Sequence, residues 1–339
     1  MKVINNDIIH DYLLQREPIL RYNENVDFDA WREEVREKFN ELLCMDEIAK
    51  NACEIKVEIE DEVKKDGYTR YRYTFESERG CTVPCYLFIP DTGKKKYPVM
   101  ICLQGHATGF HISIGETKYP GDEEYIATHA YALDAVKNGY AAICIEQRGL
   151  GERQPSTQER GRINGPGCPC QFTAMTALMA GRTLIGERVW DVSKAIDSLS
   201  AFDVLDLDDI TCVGTSGGGT ATYYSACYDT RIKVAIPSCA VCTYRDSIGD
   251  MWHCTCNYIP KTAKYFDMGE LAALIAPRKL MVVNGKIDPI FPIKGTREVY
   301  SVIEKIYKKA GAEGNCELLE HEREHYFDNK LIFGKVSRN

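Results

Sequence analysis

Ser216 stands inside a Gly-x-Ser-x-Gly motif, and this motif constrains the fold more than any other feature of the chain. It directly follows the apolar, β-prone run 210–213. A serine in this position is typical of a sharp turn from a strand into a helix, where the backbone is strained and the flanking glycines leave room for the neighbouring chain. Because glycine and serine also occur in ordinary turns, the motif predicts a nucleophile only if activating residues follow it.

A candidate acid follows a predicted strand further along the chain. The run 279–283 is predicted to be a buried parallel strand, and Asp288 lies in the loop at its carboxyl end. An acidic side chain at that edge of a parallel sheet could orient a histidine that activates Ser216. We therefore predict Asp288 as the acid of a catalytic triad.

Two histidines compete for the role of base. A helix is predicted over about 295–310 and a last strand over 315–319, and His321 and His325 follow that strand. We favour His325 because a loop beyond the strand end gives its imidazole the length to reach Ser216, whereas His321 sits almost on the strand. The predicted triad is Ser216, Asp288 and His325, in that chain order.

An oxyanion hole is predicted where a central strand, 97–103, ends. His106 follows this strand, and its backbone N–H is one candidate donor to a developing oxyanion. The backbone N–H of Gly217, directly after the nucleophile, is the other. The His106 side chain could have no role beyond packing, which would leave the backbone role unchanged.

The remaining hydrophobic patterns predict alternating strands and helices. An amphipathic helix is predicted over 28–45, and a second helix over 178–200 leads into the strand before Ser216. Strands over 55–60, 69–75 and 83–89 are predicted to form an antiparallel edge. Later strands alternate with helices, which is typical of a doubly wound sheet.

The chain resembles the α/β-hydrolase superfamily, specifically its dienelactone-hydrolase-like and acetyl-xylan-esterase-like bacterial esterases. The resemblance rests on the order Ser, Asp, His, on segment 146–152, which is similar to Asp-x-Arg-Gly-x-Gly, and on segments 256–260 and 274–278. It implies an α/β-hydrolase fold with a mostly parallel sheet and antiparallel amino-terminal edge strands. It also implies hydrolysis of small acyl esters through an acyl-serine, without a cofactor. Glu146 departs from the aspartate of the family segment.

Composition favours one soluble enzyme domain spanning 1–339, with residues 1–50 as a helical cover. The 44% hydrophobic and 27% charged residues are ordinary globular values, which argues against disorder. A net charge of −8 disfavours nucleic acid as a partner. Residues 1–7 lack the apolar core of a signal peptide and no segment is long enough to span a bilayer, so we expect a cytoplasmic protein without a membrane partner. The oligomeric state stays open.

Fifteen cysteines could indicate disulfides, a metal site or small buried side chains. The odd number and the absence of an export signal argue against a disulfide scaffold. Close pairs occur at 168/170, 239/242 and 254/256, but their spacing matches no zinc-finger or ribbon pattern. The expectation is therefore no metal, with most cysteines packed as small hydrophobes.

Two insertions could shape a pocket. Residues 153–172, rich in Gly, Pro and polar residues, are predicted to form a lid or substrate loop. In 244–266, four aromatic residues could wall an acyl pocket, stack on a sugar or simply pack in the core, namely Trp252, Tyr258, Tyr265 and Phe266.

The predicted function is deacetylation of a small acetylated sugar or metabolite, with a small-molecule ester as the only expected partner. The alternatives are a lactone-opening or peptidase-like serine hydrolase and, in another class, a non-catalytic or metal-dependent binding protein on the same fold.

Overall fold

In the computed structural model, residues 8–155 and 169–338 are described, and a nine-stranded sheet runs through them. The strands are β1 (Glu58–Lys65), β2 (Tyr68–Glu78), β3 (Cys81–Pro90), β4 (Tyr97–Leu103), β5 (Ala141–Ile145), β6 (Leu205–Thr215), β7 (Ile232–Ser238), β8 (Lys279–Gly285) and β9 (Cys316–His321). Their order across the sheet is β1-β2-β3-β5-β4-β6-β7-β8-β9.

Helices cover both faces of this sheet. They are α1 (Ile8–Leu14), α2 (Phe28–Leu43), α3 (Met45–Ala49), α4 (Asp122–His129), α5 (Tyr131–Lys137), α6 (Pro169–Met179), α7 (Leu184–Ser198), α8 (Gly217–Tyr228), α9 (Thr262–Tyr265), α10 (Met268–Leu271), α11 (Ile293–Lys309) and α12 (Asn329–Val336). Side chains of α2, α7, α8 and α11 form the core on one face, and those of α5 and α12 form it on the other. None of the helices in the described parts of the chain has both the length and the apolar character needed to cross a membrane.

The antiparallel amino-terminal edge is confirmed. Strands β1, β2 and β3 pair antiparallel in sequence order, and β3 pairs antiparallel with β5. The first strand was predicted over 55–60, but it runs from Glu58 to Lys65. The difference arises because the Asp66-Gly67 turn, with Gly67 at φ 83°, closes a hairpin that pairs Lys65 with Tyr68 and so draws the strand towards the turn.

The parallel part of the sheet is also confirmed. Strand β4 pairs parallel with β5 and β6, and β6 to β9 continue parallel to the far edge. The carboxyl ends of β4, β6, β8 and β9 therefore lie along one edge of the sheet. Residues that follow these four strands are brought together there, which is where ligands bind in open α/β sheets.

The helix predicted over 178–200 is present as α7, but its predicted start is wrong. The chain forms two helices, α6 and α7, with a break between Met179 and Leu184. Gly181 adopts φ 77°, which no helix accepts, and the Thr183 side chain then caps α7 by accepting a hydrogen bond from the Gly186 N–H at 3.1 Å.

The amphipathic helix predicted over 28–45 is confirmed as α2, which ends at Leu43. Asp27 caps its first turn by accepting from the Ala30 N–H at 3.2 Å, and it ends where Cys44 turns left-handed at φ 62°. Its apolar stripe of Trp31, Val35 and Phe39 is buried. Of the predicted lid at 153–172, residues 156–168 lie outside the described residues, and α6 begins at Pro169.

Candidate active site

Ser216 lies at the turn between β6 and α8 in a strained backbone conformation. Its φ and ψ are 54° and −123°, a region that a non-glycine residue rarely occupies. The Ser216 N–H donates to the carbonyl of Ser238 on β7 at 2.9 Å, which holds the turn. A Cβ on Gly218 would lie 2.1 Å from the Leu103 carbonyl oxygen at the end of β4, so only glycine allows α8 to start this close to the sheet.

Asp288 is buried in the loop after β8, and its contacts with two backbone N–H groups and with His325 favour the ionised form. Oδ1 accepts hydrogen bonds from the N–H groups of Ile290 at 2.8 Å and Phe291 at 3.0 Å. Oδ2 lies 2.9 Å from Nδ1 of His325. Burial alone would raise the pKa of Asp288, but the His325 contact and the two N–H groups hold it below its ordinary value.

His325 contacts Asp288, and His321 does not. His325 lies in the loop beyond β9, and its ring stacks on Phe291 with a centroid distance of 6.0 Å. His321 ends β9 and is buried, and its Nδ1 accepts from the Arg323 N–H at 3.3 Å. His325 lines the same cavity as Ser216, and His321 is not among the residues that line it.

The two predicted oxyanion donors lie beside Ser216. Gly217 is the first residue of α8, so its N–H has no intrahelical acceptor. The His106 ring lies against Gly217, because a Cβ on that glycine would be 2.7 Å from Cε1 of His106. A Cβ added to Gly105 would lie 3.4 Å from Cβ of Ser216. The loop after β4 therefore passes directly over the serine.

A cavity of about 410 Å³ opens at this point. Its lining includes Gly105, His106, Ser216, Phe291 and His325. This volume is at the small end of the range for ligand sites, which suits a compact molecule. Asp288 is not in the lining; it lies behind His325, where an orienting acid belongs.

Three further cavity residues were missed in the sequence. Tyr125, His129 and His253 line the same space, and burial lowers the pKa of both histidines. His253 Nε2 lies 3.1 Å from the Ser247 hydroxyl. These residues come from α4 and from the segment after β7, and no local motif marks them.

Of the four aromatic residues proposed for a pocket wall, Trp252 lines this cavity. Phe266 is buried in the core. Tyr258 and Trp252 line a second groove of about 930 Å³ beside α1. Because Ser216, Asp288 and His325 are absent from that groove, the smaller cavity is the candidate active site.

Glu146, directly after β5, holds the loop after β4 in place. Its Oε1 accepts from Gln104 Nε2 at 2.7 Å, and both carboxylate oxygens lie 3.2 Å from the Phe110 N–H. Burial raises its pKa to about 7, against the opposing effect of the Phe110 and Glu152 N–H groups. Arg148, in the same segment, is an ion-pair partner of Asp191 and Glu78 rather than a cavity residue.

The raised pKa of Glu146 predicts that the free energy of unfolding depends on pH. The folded protein keeps the Glu146 carboxyl protonated up to about pH 7, and the unfolded chain keeps it protonated only up to about pH 4.5. The contribution of this group to the free energy of unfolding is therefore fully present below pH 4.5 and is lost as the pH rises to 7. At about 1.4 kcal/mol per pH unit the loss amounts to about 3 kcal/mol. The free energy of unfolding of Glu146→Gln relative to that of the wild type should therefore increase between pH 5 and 8, as measured by urea titration at each pH. A difference between the two proteins that is constant with pH would contradict this.

Comparisons with known proteins agree with this architecture. A family model described as an abhydrolase family matches residues 2–161, which include the loop after β4. The candidate hydrolase YtaP of Bacillus subtilis (strain 168) is 25% identical over 252 residues, 74% of this chain and 79% of YtaP.

Solved structures show the same fold. A candidate acetyl xylan esterase from Bacteroides fragilis NCTC 9343 has a TM-score of 0.80 at 18% identity, covering 99% of this chain and 95% of that one. A glucuronoyl esterase from Solibacter usitatus has a TM-score of 0.67 at 14% identity, covering 96% and 98%. An acetyl xylan esterase from Paenibacillus sp. R4 has a TM-score of 0.58 at 19% identity, covering 92% and 93%.

The chain therefore has the α/β-hydrolase fold, with a mostly parallel sheet and antiparallel edge strands. The family-model match over residues 2–161 and the similarity to YtaP agree with the resemblance to the α/β-hydrolase superfamily seen in the sequence.

Proposed function

We propose that this protein is a serine carboxylic-ester hydrolase that removes acetyl groups from a small sugar or related metabolite through an acyl-serine intermediate. One observation carries the proposal: the strained Ser216 opens into the same cavity as His325, whose Nδ1 lies 2.9 Å from the buried Asp288. Several structural neighbours, among them acetyl xylan and glucuronoyl esterases, are named as esterases, which supports ester hydrolysis.

In the first half of the reaction, His325 takes the proton of the Ser216 hydroxyl as Oγ attacks the ester carbonyl carbon. Asp288 keeps the imidazole oriented and stabilises its protonated form. The N–H groups of Gly217 and His106 donate to the oxyanion of the tetrahedral intermediate. His325 then protonates the leaving alcohol oxygen, and the acyl group stays on Ser216.

In the second half, His325 takes a proton from water as the water oxygen attacks the acyl-serine carbonyl. Collapse of the second tetrahedral intermediate releases the carboxylic acid and returns the proton to Ser216. No cofactor takes part in either half of this scheme.

The small cavity favours a short acyl group on a compact alcohol. Trp252, Tyr125 and Phe291 are among the residues that line it, and aromatic side chains offer large apolar surfaces on which a sugar ring could stack. We expect kcat/KM for p-nitrophenyl octanoate to be at least about tenfold below that for the acetate, a loss of about 1.4 kcal/mol in transition-state binding.

The assay should include acetylated monosaccharides, a simple lactone and a peptide anilide beside the p-nitrophenyl esters. Release of acetate from the sugar esters, with little or no turnover of lactone or anilide, is the expected result. Faster opening of the lactone or cleavage of the anilide would replace the acetyl-ester assignment with one of those activities. No turnover of any of these by folded protein would reject hydrolytic function.

A further inference from the structure

Four side chains that can bind a metal ion converge beside the candidate active site. They are His106, Cys170, Cys254 and Cys256, and their ligand atoms all lie within 4.8 Å of one another. Nε2 of His106 lies 3.1 Å from Sγ of Cys256. The three cysteines are buried. We call these four residues the Cys₃His cluster.

The cluster joins three segments that are distant along the chain. His106 follows β4, Cys170 lies in the first turn of α6, and Cys254 and Cys256 lie in the segment after β7. The sequence expectation of no metal compared only the spacing of neighbouring cysteines, and such spacing cannot reveal a site assembled from three segments.

The donor set is that of a structural zinc site. Three thiolates and one imidazole around Zn²⁺ form a standard tetrahedral arrangement, with Zn–S of about 2.3 Å and Zn–N of about 2.0 Å. In such a tetrahedron the ligand atoms are separated by about 3.5 to 3.8 Å. The ligand atoms of the cluster lie within 4.8 Å of one another, so small side-chain movements bring them to these separations. Thiolate sulphur also selects zinc over the hard cations magnesium and calcium.

A buried arginine gives independent support. The guanidinium of Arg188 is fully buried, donates to Sγ of Cys170 at 2.9 Å, and otherwise bonds the Arg148 carbonyl. No carboxylate in the described ranges 8–155 and 169–338 forms an ion pair with it. A buried cation without a counter-charge costs several kcal/mol. Three thiolates and one Zn²⁺ carry a net charge of −1, which Arg188 would balance.

We propose that the Cys₃His cluster binds one structural Zn²⁺. On binding, the three thiols release their protons to solvent and form S–Zn bonds, and Nε2 of His106 supplies the fourth ligand from the neutral imidazole. All four positions are then occupied by protein, so the metal activates no water and its role is structural.

The location gives the metal a consequence for the neighbouring site. The His106 ring packs against Gly217, so a zinc bond to Nε2 would fix the loop after β4 over the turn that holds Ser216. It would also tie α6 and the segment after β7 to that loop. The zinc proposal itself does not rest on the proposed esterase function, because it concerns binding and not turnover.

The test is metal analysis of the full-length protein purified under reducing conditions. We expect about one zinc per chain, released when a mercurial reagent modifies the thiols. Cobalt substitution should give the intense visible bands of tetrahedral Co²⁺ and a near-ultraviolet sulphur-to-cobalt charge-transfer band. Cys256→Ala should lose both the zinc and the cobalt spectrum.

Cys227→Ala is the matched control, because Cys227 is equally buried and lies outside the cluster. It should keep about one zinc per chain. Ser216→Ala should also keep its zinc while losing activity, which separates failure of the metal proposal from failure of the esterase proposal. Should Cys256→Ala fail to fold, the wild-type zinc content and cobalt spectrum still decide.

Wild-type protein that holds well below one zinc per chain after incubation with Zn²⁺ would overturn the proposal. So would a disulfide among the three cysteines in mass spectra of the unreduced protein, or equal loss of zinc in Cys227→Ala.

Discussion

Replacing Ser216 by alanine is expected to lower kcat for p-nitrophenyl acetate by about 10⁴-fold or more. The reason is that the acyl group can form a covalent bond only with Oγ, and the remaining oxyanion donors give only the residual rate that triads retain without their nucleophile. The substitution keeps the Cβ and therefore leaves the packing of the turn at residue 216 intact. The midpoint of thermal unfolding should therefore change little.

Ser225→Ala is the matched control for this experiment. Ser225 lies in the same helix, α8, and its buried hydroxyl has no hydrogen-bond partner among the described residues. Removal of this hydroxyl should leave kcat within about twofold of the wild type, because the surroundings of the reacting groups do not change. Substantial esterase activity in Ser216→Ala would reject Ser216 as the nucleophile.

The two histidines after β9 should differ sharply in their effect on turnover. His325→Asn should lower kcat by about 10³-fold to 10⁶-fold, because asparagine cannot accept the Ser216 proton. His321→Asn should leave kcat nearly unchanged, since an amide oxygen can still accept from the Arg323 N–H that now bonds Nδ1. The measurement is steady-state hydrolysis of p-nitrophenyl acetate at a temperature where both variants are folded.

A large loss in His321→Asn with an unaffected His325→Asn would reverse the assignment of the base. Similar losses in both would indicate that the substitutions disturb the loop between 321 and 325 rather than the chemistry, and circular dichroism of the two variants separates that case.

Much of the fold could be predicted because its signals are local. The Gly-x-Ser-x-Gly motif places Ser216 at a strand-to-helix turn, and apolar runs before Asp288 and before His321 identify parallel strands. Parallel strands bring their carboxyl ends to one edge, so the positions of Ser216, Asp288 and His325 relative to the sheet follow from the pattern.

Local signals were also available where the prediction is wrong. The break between α6 and α7 could have been recognised from Gly181 followed by the capping residue Thr183. The Asp66-Gly67 pair is a strong hairpin signal that would have moved the first strand to Glu58–Lys65.

The rest depends on how distant loops meet. Tyr125, His129 and His253 reach the cavity from different segments, and no spacing along the chain relates them to Ser216. The same holds for the Cys₃His cluster, in which only Cys254 and Cys256 are close in sequence. Side chains assembled in this way are set by tertiary packing, which a single sequence does not encode at the level of motifs.

The acyl-serine mechanism can be tested by pre-steady-state release of p-nitrophenol from p-nitrophenyl acetate, followed by stopped flow and paired with intact-mass spectra of the quenched protein. We predict a burst of about one p-nitrophenol per chain, together with an added acetyl group that peptide mapping places on Ser216. Linear release without a burst and without an acetylated protein, or an acetyl group carried by a cysteine instead of Ser216, would contradict the acyl-serine mechanism.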